Sequence, residues 1–493
     1  MLFSRKEFIK ITALAGASAI LAACGVETES NEATKISEDK NSAKTGKPDI
    51  FKPKDSDNVV YISSDNKEYD ELRNGFSKRI NKFPAVIALC YNSTGVQEAV
   101  LFAKEQNLKI AIKSGGHCFE GFSSNDNGMV INVSKLKTFE LSDDHILKIG
   151  PGFKLGEIYE KLLEQSRIIP AGSCAGVGIS GLTLGGGYGL FSREFGLTCD
   201  NLLDLEIVTA DGKIMSCQED PDLFWALKGG GNGNFGVVTQ LTFKTHESPK
   251  WLQSNRFKAH NLDVTRAETI LKKWFEVTKS LPNDCFSAFV LNGKSLTILI
   301  TNFKEAGESL NTVFSELTSV TDKATIGTHV GLASAIKVFQ GQTNPIFFKN
   351  ASVGIYNDFN DIASISSVVM EKVIHGRGLI YQINTLGGII SNSEFEKTSS
   401  FPYRSYPYLS ELQCYWESES KSNDFIQKFQ EVQSLFLNAG LTKQYVNYPA
   451  IENENFETAY YGNNLQKLKD VKSRYDPENL FCHAQSIVGN KPA

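Results

Sequence analysis

KSGGHCFEGFS (113–123) continues directly from the alternating run KIAIK (109–113), and two further glycine-rich stretches follow it, AGSCAGVGISGLTLGGGYG (171–189) and GGGNGNFGVVT (229–239). Glycine opens backbone conformations that other residues reach only at a cost, and closely spaced glycines let successive N–H groups converge on an anion. Three such loops, each beside a β-like run, predict strand ends gathered round one extended ligand that carries a diphosphate. Within the second loop, Gly176-Val177-Gly178-Ile179-Ser180-Gly181 matches GxGxxG letter for letter. A dinucleotide fingerprint of that form needs a strand immediately before it, a helix opening on it and an acidic residue about 20 positions on. IIPAGSC (168–174) stands there instead, with a proline and small breakers, so the Rossmann reading is set aside.

Working outward from the loops, 85–90, 109–113, 129–133, 146–149 and 205–209 read as strands. Residues 94–106 carry Val96, Ala99, Val100 and Ala103 at helical spacing, with Thr94 as the expected cap. Residues 58–250 therefore read as a unit of mixed helices and strands with glycine loops at strand ends. The stretch 251–440 changes character: 267–280 is an amphipathic helix, 286–291 and 295–302 form a hairpin across Asn292-Gly293, and 308–317 is helical again. That pattern predicts an antiparallel sheet with helices on one face, serving as a lid or substrate wall. The fold class expected for the whole chain is α+β.

The chain has 493 residues, 41% hydrophobic and 22% charged, which is ordinary for a globular protein. A net charge of −5 argues against nucleic acid as a partner, because that partner requires a basic footprint. No CxxC or HExxH is present and the seven histidines are scattered, so no metal site is expected. The nine cysteines include Cys24, which follows Leu21-Ala22-Ala23 behind a basic start and a short apolar run. Residues 1–23 thus read as a lipoprotein signal peptide, with lipid on the Cys24 thiol and 24–57 as a polar tether. SRKEFIK (4–10) is similar to the twin-arginine motif with Lys6 in place of the second arginine, leaving export by the Sec or the Tat route open. The expected location is the cell envelope, held to a membrane through Cys24.

The ordered set of loops, together with YVNYPA (445–450), AYYGNN (459–464), LKDVKSRYDPENLF (468–481) and AQSI (484–487), resembles the berberine-bridge-enzyme-like flavoproteins of the vanillyl-alcohol-oxidase superfamily. The likeness runs from about Tyr61 to the C-terminus. It implies a PCMH-type FAD-binding domain of two α/β subdomains over 58–250, a substrate domain over 251–440 and a C-terminal segment, 441–493, that returns to the FAD domain. It also implies covalent FAD, bonded to His117 at the flavin 8-methyl and to Cys174 at carbon 6. The same likeness sets Ser114, Gly115, Gly116, Val177, Gly178, Gly181, Gly185, Gly236, Val238, Tyr461 and Asn463 against the cofactor.

In many members of that family the second tyrosine of Y-x-N-Y takes a substrate hydroxyl proton, and the resemblance implies that role for Tyr448. A phenol titrates near ~10, so a cation or donor beside it is expected, with Tyr445 and Arg404 as the candidates. Gln413, in LSELQCYW (409–416), is expected to hydrogen-bond the substrate or the base. Phe119 replaces an aromatic hydroxyl common in the family, and Cys118 is read as packing. Val177 matches a position where the family's oxidases tend to carry valine, leaving room for O2. The resemblance therefore implies oxidation of a small-molecule alcohol or sugar, with O2 as acceptor and H2O2 as product. The alternatives are a dehydrogenase that passes electrons to a quinone or protein, and a ligand-binding surface lipoprotein without catalysis.

Overall fold

A computed structural model describes residues 53–490; the signal peptide and most of the tether expected from the sequence lie outside the described residues. The N-terminal half builds two larger sheets and a two-stranded ladder between Arg167–Ile168 and His246–Glu247. In the first, Val59–Ile62 pairs antiparallel with Val86–Cys90, which continues in parallel through Met129–Asn132 to Ile110–Lys113. Both faces of such a sheet need cover. The helix Ser93–Glu105 buries Val96, Ala99, Val100 and Ala103, as their spacing predicts. Its cap is Asn92, whose side chain accepts from the Gly95 N–H, and not Thr94. Asn92 has the extended backbone a cap requires, whereas Thr94 already lies inside the first turn.

The second sheet is antiparallel, in the order Phe139–Leu141, Ile146–Ile149, Val237–Lys244, Leu202–Val208 and Ile214–Ser216. The C-terminal segment closes onto the first sheet: Ile110 donates to the Leu480 carbonyl at 3.0 Å and pairs in parallel with Phe481. Lys472 fixes that return. It is fully buried, and its ammonium donates to Asp476 at 2.5 Å and to the carbonyls of Asn234 and Phe481.

Between these parts stands an eight-stranded antiparallel sheet, running from Trp251–Ala259 to Tyr408–Trp416 in the sequence. Side chains along its strands alternate between faces. Phe289, Leu291, Tyr381, Ile383, Leu412 and Cys414 pack under the helices Val264–Thr278, Glu308–Val320, Ser366–His375 and Ser422–Asn438. Phe286, Ala288, Val290, Ile380 and Leu409 turn the other way and join the core of the N-terminal half. The four long helices share one face, the arrangement the hairpin-and-helix pattern predicts, with the short helix Leu332–Lys337 packed against the strand Trp251–Ala259 on the other, and the chain as a whole is α+β. No helix among the described residues is long and apolar enough to cross a membrane. Cys90, Cys118, Cys199, Cys217, Cys285, Cys414 and Cys482 carry no disulfide.

Candidate active site

The first two glycine loops are pressed together backbone to backbone. A Cβ on Gly115 would sit 2.4 Å from the Gly178 nitrogen, and one on Gly178 would sit 2.4 Å from the Ser114 hydroxyl. Ser114 itself donates to the Pro151 carbonyl at 2.6 Å. Gly116 has φ +67, and Gly236 has φ +155 with its missing Cβ 2.6 Å from the Val208 carbonyl. At these four positions glycine is required by backbone contact or by left-handed conformation. Gly181 differs, because its nearest neighbour beyond the local chain is Asn232 Oδ1 at 3.9 Å and it lines an open cavity.

That cavity, mouth included, encloses about 1830 Å³. Its wall brings together His117, Ser114, Gly115, Gly116, Cys174, Val177, Gly178, Gly181, Gly236, Val238, Tyr461 and Tyr448 from all three loops and the C-terminal segment. Three of the expected residues lie elsewhere. Gly185 is covered by Asn447, whose Oδ1 would lie 2.1 Å from its Cβ. Asn463 is exposed in the turn Gly462–Asn464, so it does not reach a cofactor in this cavity. Gln413 is buried in the sheet, where it donates to Gln382 Oε1 at 3.1 Å and accepts from the Tyr415 hydroxyl at 3.0 Å.

His117 stacks on Phe76, ring centroids 4.0 Å apart and 13° from parallel. Desolvation pushes its pKa down to about 3, assisted by the Lys154 charge, so the imidazole is neutral and keeps a free lone pair at physiological pH. Its Nε2 is shielded from solvent and has no hydrogen-bond partner; the same holds for Asn232 Oδ1 in the same wall. Shielded polar atoms are normally satisfied, and two unsatisfied ones in one glycine-lined wall fit a polar, extended ligand of the FAD type. The turn after His117 is fixed by charge: Glu120 accepts from Arg79 and from Lys349, each at 2.8 Å, and Lys349 also meets Glu452 at 2.9 Å.

The Tyr448 hydroxyl is 2.9 Å from that of Tyr188. Tyr445 stands beside it, with ring centroids 5.1 Å apart, as expected. Arg404 does not. It is committed to Asp200 at 2.6 Å in a buried pair and does not figure among the charges acting on Tyr448. The expected cation is therefore missing from this phenol's surroundings, and burial, Tyr188 and Glu411 instead hold its pKa well above the ordinary value.

Sequence reasoning missed four residues around this centre. Tyr188, in GGGYG, contributes the second hydroxyl; the side-chain-free glycines round it were the available signal. Asn384 donates to Tyr188 at 3.1 Å, and Glu411 is wholly buried next to Asn384. Glu411 lies two residues before Gln413 in a strand, hence on the same sheet face, which is the clue the sequence offered. His483 lines the cavity, stacks on Phe122 at 4.4 Å and meets the Asn232 carbonyl at 3.2 Å. No group of three His, Cys, Asp or Glu that could hold a metal occurs among the described residues.

Residues 84–218 match the family "FAD binding domain" and residues 444–488 match "Berberine and berberine like". The chain is 31% identical over 451 residues to the uncharacterised FAD-linked oxidoreductase YgaK of Bacillus subtilis, covering 86% of this chain and 96% of that protein. It is 28% identical over 450 residues to the chitooligosaccharide oxidase of Gibberella zeae, covering 85% of this chain and 90% of that one. A solved structure of a chitooligosaccharide oxidase superposes with a TM-score of 0.79 at 25% identity, covering 88% of this chain and 97% of the other. These matches span both glycine-loop unit and C-terminal segment, so the chain belongs to the berberine-bridge-enzyme-like FAD-linked oxidoreductases.

Proposed function

We propose that this enzyme oxidises a hydroxyl group of a small-molecule alcohol or sugar, with FAD held covalently by His117 and Cys174 and reoxidised by O2 to give H2O2. The observation that carries the reading is the Tyr188–Tyr448 hydroxyl pair, whose two tyrosines line the same cavity as His117 and Cys174. Bound flavin supplies the two-electron acceptor there. Tyr448 accepts the hydroxyl proton, and Tyr188 holds the Tyr448 oxygen at a fixed position. His117, kept neutral by desolvation, has the lone pair needed to form a carbon–nitrogen bond. The aromatic walls, Phe119 stacked 5.3 Å from Tyr448 among them, exclude water from the reacting centre. Similarity to carbohydrate oxidases favours a sugar, and Val177 in the cavity wall favours O2 as acceptor.

The test is a screen of alcohols, mono- and oligosaccharides against purified protein, comparing peroxide formed in air with reduction of artificial acceptors without air. Peroxide stoichiometric with substrate supports the reading; turnover only with artificial acceptors replaces the oxidase with a dehydrogenase. We also propose, from Leu21-Ala22-Ala23-Cys24, that the chain is exported and carries lipid on Cys24. Mass spectrometry of the membrane fraction should find the modified peptide, and an unmodified terminus on protein outside the membrane fraction would contradict it.

A further inference from the structure

Glu411 lies on the strand Tyr408–Trp416 with its side chain on the face that Leu409 turns toward the N-terminal half. It is a fully buried carboxyl on that face. Its Oε1 accepts from Asn384 Nδ2 at 3.4 Å, and its Oε2 has no partner among the described residues. The same Asn384 nitrogen donates to the Tyr188 hydroxyl at 3.1 Å, and Tyr188 in turn meets Tyr448 at 2.9 Å. With Tyr448 as donor to Tyr188, the Tyr188 oxygen accepts two hydrogen bonds and its own hydrogen must point elsewhere. A carboxyl oxygen without a partner costs free energy in a dry interior, and here one stands on the far side of a single amide from that hydrogen.

We propose that Glu411 is the group that finally stores the proton removed from the substrate hydroxyl, acting through the Tyr188–Tyr448 pair. This rests on the reading of Tyr448 as the base. The substrate O–H breaks as its proton moves to the Tyr448 oxygen. The original Tyr448 proton moves to Tyr188, and that of Tyr188 moves to Oε2 of Glu411 by way of one water that this relay requires beside Asn384. One O–H is lost at the substrate and one is gained at Glu411. The negative charge passes from carboxylate to substrate oxygen, which prepares that carbon for oxidation; bound flavin would supply the two-electron acceptor. Both tyrosines return to their starting protonation state, so neither has to persist as a phenolate.

The electrostatics agree with this role. Burial raises the Glu411 pKa to about 8, opposed by the hydrogen bonds from Asn384 and Gln413. An acceptor with a pKa near the working pH is the efficient one. Tyr188 and Tyr448 are the titratable groups on which its charge acts, and Tyr445 acts on both. Lys349, on the neighbouring strand Phe347–Tyr356, is spent on Glu120 and Glu452. Only ionised Glu411 can accept, so reduction of the enzyme by substrate should accelerate as pH rises through about 8 and then level off.

Three variants and one spectrum test this. In anaerobic rapid mixing across that pH range, Glu411→Gln should lose the acceleration and reduce about 10²-fold or more slowly, while Glu411→Asp should keep the pH-dependent rise. Infrared difference spectra of the resting protein without substrate should show a protonated carboxyl C=O stretch that disappears near pH 8 in the parent and is absent from Glu411→Gln. A Glu411→Gln variant with parental rate and pH profile, or a parent without a carboxyl titrating there, overturns the proposal. Tyr448→Phe separates the two levels: if it is slow while Glu411→Gln is fast, only the role of Glu411 fails. If Tyr448→Phe is itself fast, the reading of the base fails.

Discussion

Tyr188 and Tyr448 meet hydroxyl to hydroxyl at 2.9 Å, although 260 positions separate them in the chain. The bond joins the second glycine loop to the C-terminal segment at the point where both line the cavity. Desolvation holds both phenols well above their ordinary pKa, so each is protonated at rest and each needs a partner that can receive its hydrogen.

Replacing Tyr448 by Phe should slow flavin reduction by substrate by about 10²–10⁴-fold, the usual cost of losing a general base. Flavin attachment and the stacking on Phe119 should survive, because the ring is unchanged. Stopped-flow reduction without air measures the first, and absorbance of the denatured protein measures the second.

Acid-denatured parent protein should retain yellow colour on the polypeptide. His117→Ala and Cys174→Ala should each leave one linkage, and the double variant should release all of its flavin. Complete release from the parent would remove both assignments.

Gly178→Ala should destabilise the protein by about 1–3 kcal/mol and weaken cofactor retention, as overpacking does. Its methyl group would meet the Ser114 hydroxyl at 2.4 Å and the Gly115 nitrogen at 2.6 Å. Gly181→Ala is the control, with nothing nearer than 3.9 Å, and its thermal midpoint should stay at the parental value.

Glu120→Ala should cost about 3–5 kcal/mol, because it leaves the buried Lys349 ammonium with Glu452 alone and removes the partner of Arg79. Thermal denaturation should show the loss. The same variant should incorporate less flavin, since Glu120 anchors the turn three residues after His117.

Stability should fall as pH drops from about 6.5 toward 4, in part through His483. Burial lowers the pKa of this imidazole to about 4, whereas the unfolded chain binds the proton near 6.5. The unfolded state therefore binds more protons in that interval, and acidification favours it. His483→Gln should flatten the decline in denaturant midpoint between those pH values.

Much of the site was legible because its signals are local. The SGGH tetrad carries its own strand, turn and histidine within 109–117, and Cys174 and Val177 share one loop with the glycines that shape it. Asn463 misled because the AYYGNN motif is local too, yet the turn at Gly462–Asn464 points it into solvent while Tyr461 faces the cavity. Arg404 misled because a cation can pair with any acid the fold brings near, and the fold brought Asp200.

By itself, the sequence determined the α+β class and the glycine loops, since short-range pattern and backbone conformational freedom suffice for those, while His117, Cys174 and Tyr448 were singled out by family resemblance. Only the tertiary structure decided which polar groups surround Tyr448. Asn384 and Glu411 reach Tyr188 because the strands Leu379–Thr385 and Tyr408–Trp416 pair in one register, with Asn384 opposite Leu409. A shift of one residue in either strand would turn its side chain under the helices, and that register is set by long-range packing that no local stretch of the chain contains.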